Sequence, residues 1–433
     1  MKKLIFFSLI MLLGIRAIGQ SNSQEINQKN HIDMKETLET LKQLADKYDP
    51  YLQETRSLIH RYPGVRFSPK EDATLELIKS ELARYINSDL VFNISLISAL
   101  DGGLVLDVIF NPDYDWLIFR ADVDALEITE KTGLDFSSKY PGLMHACGHD
   151  IHAAMLLTAC RIMLTEPGLP IKHNIRFVFQ RAEENPIDGL SGGKLLVHEG
   201  ICKEMKAAYA LHIWTKPELP AGTFMSCPGP MLGNSDRLKI TITAPGGHVA
   251  NPDDGSSAID VSFTVYQEMR KIYAGLSKDS VSLSPAIINS GKQSNVRPQE
   301  AELWFACRNY LPTGEREAFH QMIRERLEKE VGLHHPDAKI VVESIYGHPT
   351  LSNDSASYQN VVEILSAAGE TTAVAKKILG GEDFAHYLNQ IPGCMFMLGA
   401  YQPGSGDVHT STFNPDPAVF KKGVLFWLLL ATN

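Results

Sequence analysis

Three short apolar runs, each closed by ionisable residues, constrain this chain more than any other feature. Leu117-Ile118-Phe119 leads into Arg120-Ala121-Asp122-Val123-Asp124. Ile175 to Phe179 leads into Gln180 and then Glu183-Glu184, and Ala207 to Leu211 leads into His212. Runs this short and apolar read as buried strands. An apolar helix over about His152 to Leu164 separates the first two, and that alternation argues for an α/β sheet. Open α/β sheets bind their ligands at the carboxyl ends of the strands. Ionisable groups at three strand ends therefore face one crevice, where unrelated surface charges would be scattered.

The densest polar cluster is Met144-His145-Ala146-Cys147-Gly148-His149-Asp150-Ile151-His152, just before that apolar helix. Thiol and imidazole donors suit zinc and neighbouring first-row metals. A His-rich surface loop beside a buried cysteine is the bland alternative, and the nearby strand ends favour metal. Glu183 and Glu184 point the same way, because two acids at the end of a buried strand are costly without a cation. One carboxylate can ligate while the other moves a proton, the division of labour that metal-assisted hydrolysis needs.

The middle of the chain has a different rhythm. Strands are expected at Arg237 to Ala244, Val281 to Ile288, Glu300 to Arg308 and Lys339 to Ile345, with helices at Ser256 to Leu276 and Thr313 to Val331. The order β-α-β-β-α-β is the ferredoxin-like split unit, inserted into the α/β domain. Residues 35–85 read as helical, with a start at Ser68-Pro69. Helix 361–368, strand 395–398 and a helix near 416–430 complete the first domain. With 433 residues the chain exceeds what one core usually serves. The expected division is a catalytic domain from 35–233 and 346–433, and an inserted domain from 234–345.

Residues 1–20 form a separate element. Lys2 and Lys3 precede the apolar run Leu4 to Ile15, with small residues Ala17 and Gly19 after it, the pattern of a cleaved export signal. The expectation is a periplasmic or extracellular protein. The net charge of −10 becomes more acidic still once Lys2, Lys3 and Arg16 leave, which argues against nucleic acid or an anionic membrane as partner. The six cysteines, Cys147, Cys160, Cys202, Cys227, Cys307 and Cys394, are scattered. Export permits disulfides, yet a chain this large does not need them, and all but Cys147 read as buried apolar residues.

Taken together, the stretches Arg120 to Leu126, Met144 to Asp150, Phe179 to Glu184, Ala210-Leu211-His212, Gly246-Gly247-His248, Gly381 to Phe384 and His409 resemble the co-catalytic metallopeptidase and aminoacylase family. The similarity is to its hippurate hydrolase and auxin-conjugate amidohydrolase branch, and Ile59 to Pro63 resembles the family's opening. The resemblance implies a zinc-peptidase-like catalytic domain, a mixed sheet with flanking helices, and a ferredoxin-like lid and dimerisation domain. It implies two divalent ions, zinc or manganese before nickel or cobalt, on Cys147, His149, Glu184, His212 and His409, with Cys147 bridging or flanking them. Glu183 would be the general base. It also implies that His248 reaches the active site of a partner in a homodimer, and that Asn295 and Arg308 bind the substrate carboxylate.

Three departures stand out: Arg181 where the family usually has proline, a loose His409-Thr410-Ser411-Thr412-Phe413 segment, and Asn185-Pro186-Ile187-Asp188. Arg181 is open to three readings: tuning Glu183, contacting an acidic substrate, or facing solvent. His145 and His152 read as orienting residues. His31, His173, His198, His320, His334, His335, His348 and His386 read as surface or structural, and Glu382 and Asp383 have no assignable role. The expected activity is metal-dependent cleavage of N-acyl amino acids. A secreted dipeptidase or carboxypeptidase, and a non-catalytic metal-dependent binding protein, are the alternatives.

Overall fold

The structure is a computed structural model that describes residues 35–86, 93–184 and 189–433. The expected export signal, His31 and the 185–188 stretch lie outside the described residues. The N-terminal block is helical: α1 covers 35–47, α2 is Asp49–Arg61 and α3 is Pro69–Ile86. The expectation of helix over 35–85 holds apart from the break at 62–68, and α3 starts at the proline the sequence marked.

The strands β1 (Asn93–Leu100), β2 (Gly103–Ile109) and β3 (Trp116–Asp122) follow, then α4 (His149–Thr165). After them come β4 (Asn174–Gln180), α5 (Gly192–His198), β5 (Ala207–Trp214), β6 (Phe224–Ser226) and β7 (Gly229–Leu232). Next are β8 (Asp236–Thr243), β9 (Gly247–His248), α6 (Ala258–Ala274), β10 (Val281–Ser290), β11 (Val296–Arg297), β12 (Glu300–Asn309), α7 (Thr313–His334) and β13 (Lys339–Ile345). The chain closes with β14 (Leu351–Asn353), α8 (Ser355–Ala367), β15 (Thr372–Val374), α9 (Ala385–Leu388), β16 (Gly393–Gly399) and α10 (Phe420–Thr432).

Eight strands form one mixed sheet in the order β1-β2-β4-β3-β5-β16-β6-β15. Its middle four, β4, β3, β5 and β16, are mutually parallel. Their carboxyl ends therefore lie along one edge, which is where the ionisable residues fall. The strands are buried on both faces, as parallel strands flanked by helices must be. Helix α4 is buried at every position except Arg161 and Thr165. A helix apolar nearly all round belongs between layers, and α4 packs in one core with β3, β5 and α10. A second core on the opposite face joins α5 and α9 to the same strands. Each large side chain so buried contributes roughly 1.5–3 kcal/mol, so the crevice is carried on a stiff frame.

Residues 236–345 make a separate four-stranded antiparallel sheet, order β10-β12-β8-β13, with α6 and α7 on one face. Leu238, Ile240, Leu303 and Phe305 point toward those helices and form their own core. All six cysteines are buried and none is disulfide-bonded. Among the described residues no helix is long and apolar enough to cross a membrane.

Candidate metal centre

The site is assembled from five segments. Asp122 ends β3, with Asp124 just beyond it, and Glu183-Glu184 follow β4. His212 sits in the last turn of β5, Cys147 and His149 lead into α4, and His409 lies in the loop after β16. Helix α4 begins at His149, three residues before the sequence-based start, because Gly148 turns the chain at φ 95°. That left-handed backbone is strained for any residue with a Cβ, and it places Cys147 and His149 on either side of a sharp turn.

Two other residues near the site hold positive φ without being glycine, namely Ala182 at 51° and His409 at 62°. Such conformations persist only where the surroundings over-determine them. The buried Glu71 carboxylate accepts the Ala182 N–H at 2.7 Å and so fixes the residue before Glu183. The His409 N–H donates to the Ala146 carbonyl at 2.7 Å, tying the C-terminal loop to the cysteine loop. Both ties position ligand-bearing backbone rather than side chains.

The five residues expected as ligands come together in two groups that share one member. Cys147, His149 and His212 have donor atoms within 4.8 Å of one another, and so do Cys147, Glu184 and His409. Cys147 is common to both, so its thiolate would be a ligand that either group could share. The free ends of the imidazoles fit the same reading. His149 donates Nδ1–H to Asp124 Oδ1 at 3.0 Å, while its buried Nε2 makes no hydrogen bond and lies 3.8 Å from Asp122 Oδ2. His212 donates Nδ1–H to the Ile213 carbonyl at 2.6 Å, and its Nε2 lies 3.4 Å from Cys147 Sγ. An orphaned buried nitrogen beside a thiol, an imidazole and a carboxylate is the donor set of a transition-metal site.

The electrostatics of the site are strained. Burial, with Glu184, Glu183 and Asp122 alongside, holds the Cys147 thiol well above its ordinary range. Burial would lower the pKa of His149, yet the charges of Asp122 and Asp124 overcome it and raise the imidazole to about 10. Glu183 is pushed well above the carboxylate range by burial and by Glu382, Glu184 and Asp383. A site so crowded with acids is balanced by cations.

Around this shell lie residues that sequence reasoning flagged without assigning. Arg120 is fully buried and ion-pairs with Asp122 and Asp383 at 2.7 Å each and with Glu382 at 3.1 Å. Asp122 in turn accepts from His152 Nδ1 at 2.6 Å, and His152 Nε2 accepts the Ile213 N–H at 2.9 Å. His152 therefore orients, as expected, and its ring packs 4.4 Å from that of His212. The orienting role expected of His145 does not hold: neither of its buried nitrogens has a hydrogen-bond partner. Glu382 and Asp383 share a third group with Glu183. Their motif marked them, but only the fold supplies Arg120 as the charge that holds them there.

Arg181 takes the role of a structural tie. It pairs with Glu71 at 2.9 Å and Asp72 at 2.7 Å on α3, so it neither faces a substrate nor stands free in solvent. Arg308 lies on β12 beside Gly381, where a Cβ would come 3.1 Å from its Nη1. His248, on the short strand β9, and Asn295, in the turn before β11, are exposed and stand outside these donor groups. Among the remaining histidines, His320 and His348 are buried within the fold.

Comparison with known proteins decides the family. Peptidase family M20/M25/M40 matches residues 118–433. The chain belongs to that family. It is 30% identical over 405 residues to thermostable carboxypeptidase 1 of Saccharolobus solfataricus, covering 92% of this chain and 98% of that protein. It is 28% identical to N-acetylcysteine deacetylase of Bacillus subtilis, covering 86% and 94%. Among solved structures it resembles a dinuclear metal binding peptidase of the M20 family from Bacillus subtilis, with 26% identity, coverage of 89% and 98%, and a TM-score of 0.75. As a member of the M20/M25/M40 family, this protein is a metal-dependent hydrolase acting on amide bonds, and the Cys147-centred groups are among the buried donor clusters of the described residues that could hold a metal ion.

Proposed function

We propose that this protein hydrolyses the amide bond of N-acyl amino acids. The observation that carries the reading is Cys147 shared between two donor groups, with Glu183 grouped both with the ligands His149 and Glu184 and with Glu382 and Asp383. When bound, two divalent cations supply Lewis acidity to a water and to the amide carbonyl. Glu183 takes the proton of the attacking water and returns it to the leaving nitrogen, so that a neutral amine departs. Cys147, His149, Glu184, His212 and His409 are the proposed ligands. The likeness to an N-acetylcysteine deacetylase and to N-acetyldiaminopimelate deacetylases supports an N-acyl substrate.

Arg308 supplies the recognition of the amino-acid end. Burial, with Arg237 nearby, lowers its pKa, and its hydrogen bond to the Asn234 carbonyl is long at 3.4 Å. A half-buried guanidinium so weakly engaged suits a bidentate carboxylate. The same feature would serve a carboxypeptidase, and the 30% identity to thermostable carboxypeptidase 1 favours that as the second reading.

The sheet over 236–345 acts as a lid and dimerisation domain in this proposal. Ile259 and Phe263 on α6, and Ile287 and Ile288 on the edge strand β10, are exposed. Pairing of that face with a second copy would cover them and would let His248 and Asn295 meet the partner's site. A monomer by mass measurement in solution overturns this part. Export is tested by the N-terminus of the protein recovered outside the cytoplasm, which should begin near residue 21.

The central experiment is a hydrolysis panel. N-acetyl, N-benzoyl and longer N-acyl amino acids are set against matched dipeptides, with added zinc or manganese and with a chelator control. Metal-dependent release from acyl amino acids supports the proposal. Cleavage of peptides alone puts the carboxypeptidase first, and no turnover with metal bound overturns both.

A further inference from the structure

The face of the second sheet that α6 and α7 leave uncovered carries a row of cations, and only some are neutralised. Lys239 on β8 stands opposite Glu343 on β13 and pairs with it at 4.0 Å and with Glu302 on β12 at 3.3 Å. Two residues earlier on the same strand and face, Arg237 stands opposite Ala306 and Ile345. Arg308, two residues beyond Ala306, is its diagonal neighbour and stands opposite Ser282. Diagonal positions are about 7–8 Å apart, within reach of long side chains. Among the described residues, Arg237 and Arg308 join no ion pair.

The nearby acids are all engaged elsewhere. Asp236 faces the other side of the sheet, 3.0 Å from Arg316 and 3.3 Å from His320, and it accepts the Gly347 N–H. Glu382, next to Gly381, is held by Arg120 and by the Phe384 N–H. Arg308 feels the charge of Asp236, but that acid is committed to Arg316, so the two neighbouring arginines still repel each other. In a chain of net charge −10, an acid opposite either one would relieve that cost, as it does for Lys239. Arg308 also lies near the reaction centre: its Nη1 is 3.1 Å from where a Cβ on Gly381 would stand, and the neighbouring Glu382 groups with Glu183 within 4.8 Å.

We infer that Arg237 is a specificity residue, and that with Arg308 it selects N-acylated amino acids bearing an acidic side chain. The α-carboxylate is received by Arg308 and the side-chain carboxylate by Arg237. Guanidinium groups suit both contacts because each offers a planar, paired set of donors. The inference rests on the amidohydrolase reading and on Arg308 as the receptor of the α-carboxylate.

The test is a ratio. The metal-loaded full-length mature protein is assayed with N-acetyl-glutamate and N-acetyl-glutamine, which differ in charge and hardly in shape. The expected kcat/KM ratio favours glutamate by about tenfold or more, and Arg237→Gln lowers that ratio at least tenfold, through KM. Arg237→Lys retains part of the preference, and Arg237→Glu inverts it. Turnover with a ratio that Arg237→Gln leaves unmoved overturns the inference alone. Failure to turn over any N-acyl amino acid, with metal bound, overturns the amidohydrolase reading and this inference with it.

Discussion

Asp124 Oδ1 lies 3.0 Å from His149 Nδ1, and the same carboxylate's Oδ2 accepts the Glu184 N–H at 2.9 Å. One side chain thus ties together two donor-group residues that arrive from different segments, the start of α4 and the end of β4. It fixes the tautomer of His149 and leaves Nε2 as the donor. Replacing Asp124 by Asn removes the charge that holds the imidazole, and by Ala it frees both loops. Metal affinity is expected to fall about 10–100-fold in Asp124→Ala, with less loss in Asp124→Asn. Competition with a chromophoric chelator measures it, and an unchanged affinity in the alanine variant contradicts the orienting role.

Metal binding should be coupled to proton release. His149 near pKa 10 and a Cys147 thiol held well above its usual range are both protonated in the metal-free protein at neutral pH. Both must lose a proton to ligate. Filling the site therefore liberates at least one proton per chain, and affinity rises with pH through the neutral range. Calorimetry in buffers of different ionisation enthalpy reads the proton count directly. Affinity that strengthens toward acid would show that these two groups are not ligands.

Glu183 and Glu184 are adjacent but are not interchangeable. Glu184 reaches His409 at 2.9 Å and belongs to the Cys147 group, while Glu183 faces Glu382 and Asp383. Glu183→Gln is expected to lower kcat by about 10²–10⁴, the usual worth of a general base. Bound metal, counted by elemental analysis, should stay at the wild-type ratio. Loss of metal in parallel with activity would make Glu183 a ligand instead.

Arg120 ion-pairs with Asp122, Glu382 and Asp383 at once in a place without solvent. Arg120→Met leaves those carboxylates buried without their partner, which costs about 3–5 kcal/mol. The denaturant midpoint of the metal-free protein should fall accordingly, with an unchanged slope. Chemical denaturation that finds less than about 1 kcal/mol would mean that the acids take up protons and no longer need the arginine.

Much of this arrangement was legible in the sequence because it follows the strand ends. His212, Glu183 and Glu184 lie where buried strands stop, and Cys147 and His149 lie where a helix begins. What the sequence did not disclose are relationships between distant segments. Arg181 invited functional readings because its partners, Glu71 and Asp72, stand on α3 more than a hundred residues upstream. The role of Asp124 depends on the crossing of two loops, and a local pattern carries no such direction. The start of α4 was placed late because His149, a polar residue, opens a helix whose apolar face begins only at Ile151. His248 and Asn295 were marked by the family resemblance alone, and both lie exposed outside the donor groups.

Strand β16 is nearly the last element made, yet it lies between β5 and β6 in the interior of the sheet. Until it emerges from the ribosome, the sheet stays split along the line that passes beside His212, and His409 does not yet exist. The N-terminal ligands are synthesised more than two hundred residues ahead of the last one. No nascent fragment can therefore close the site proposed on these five residues. With the ligands proposed above, loading with metal would follow completion of the chain, once the last strand inserts.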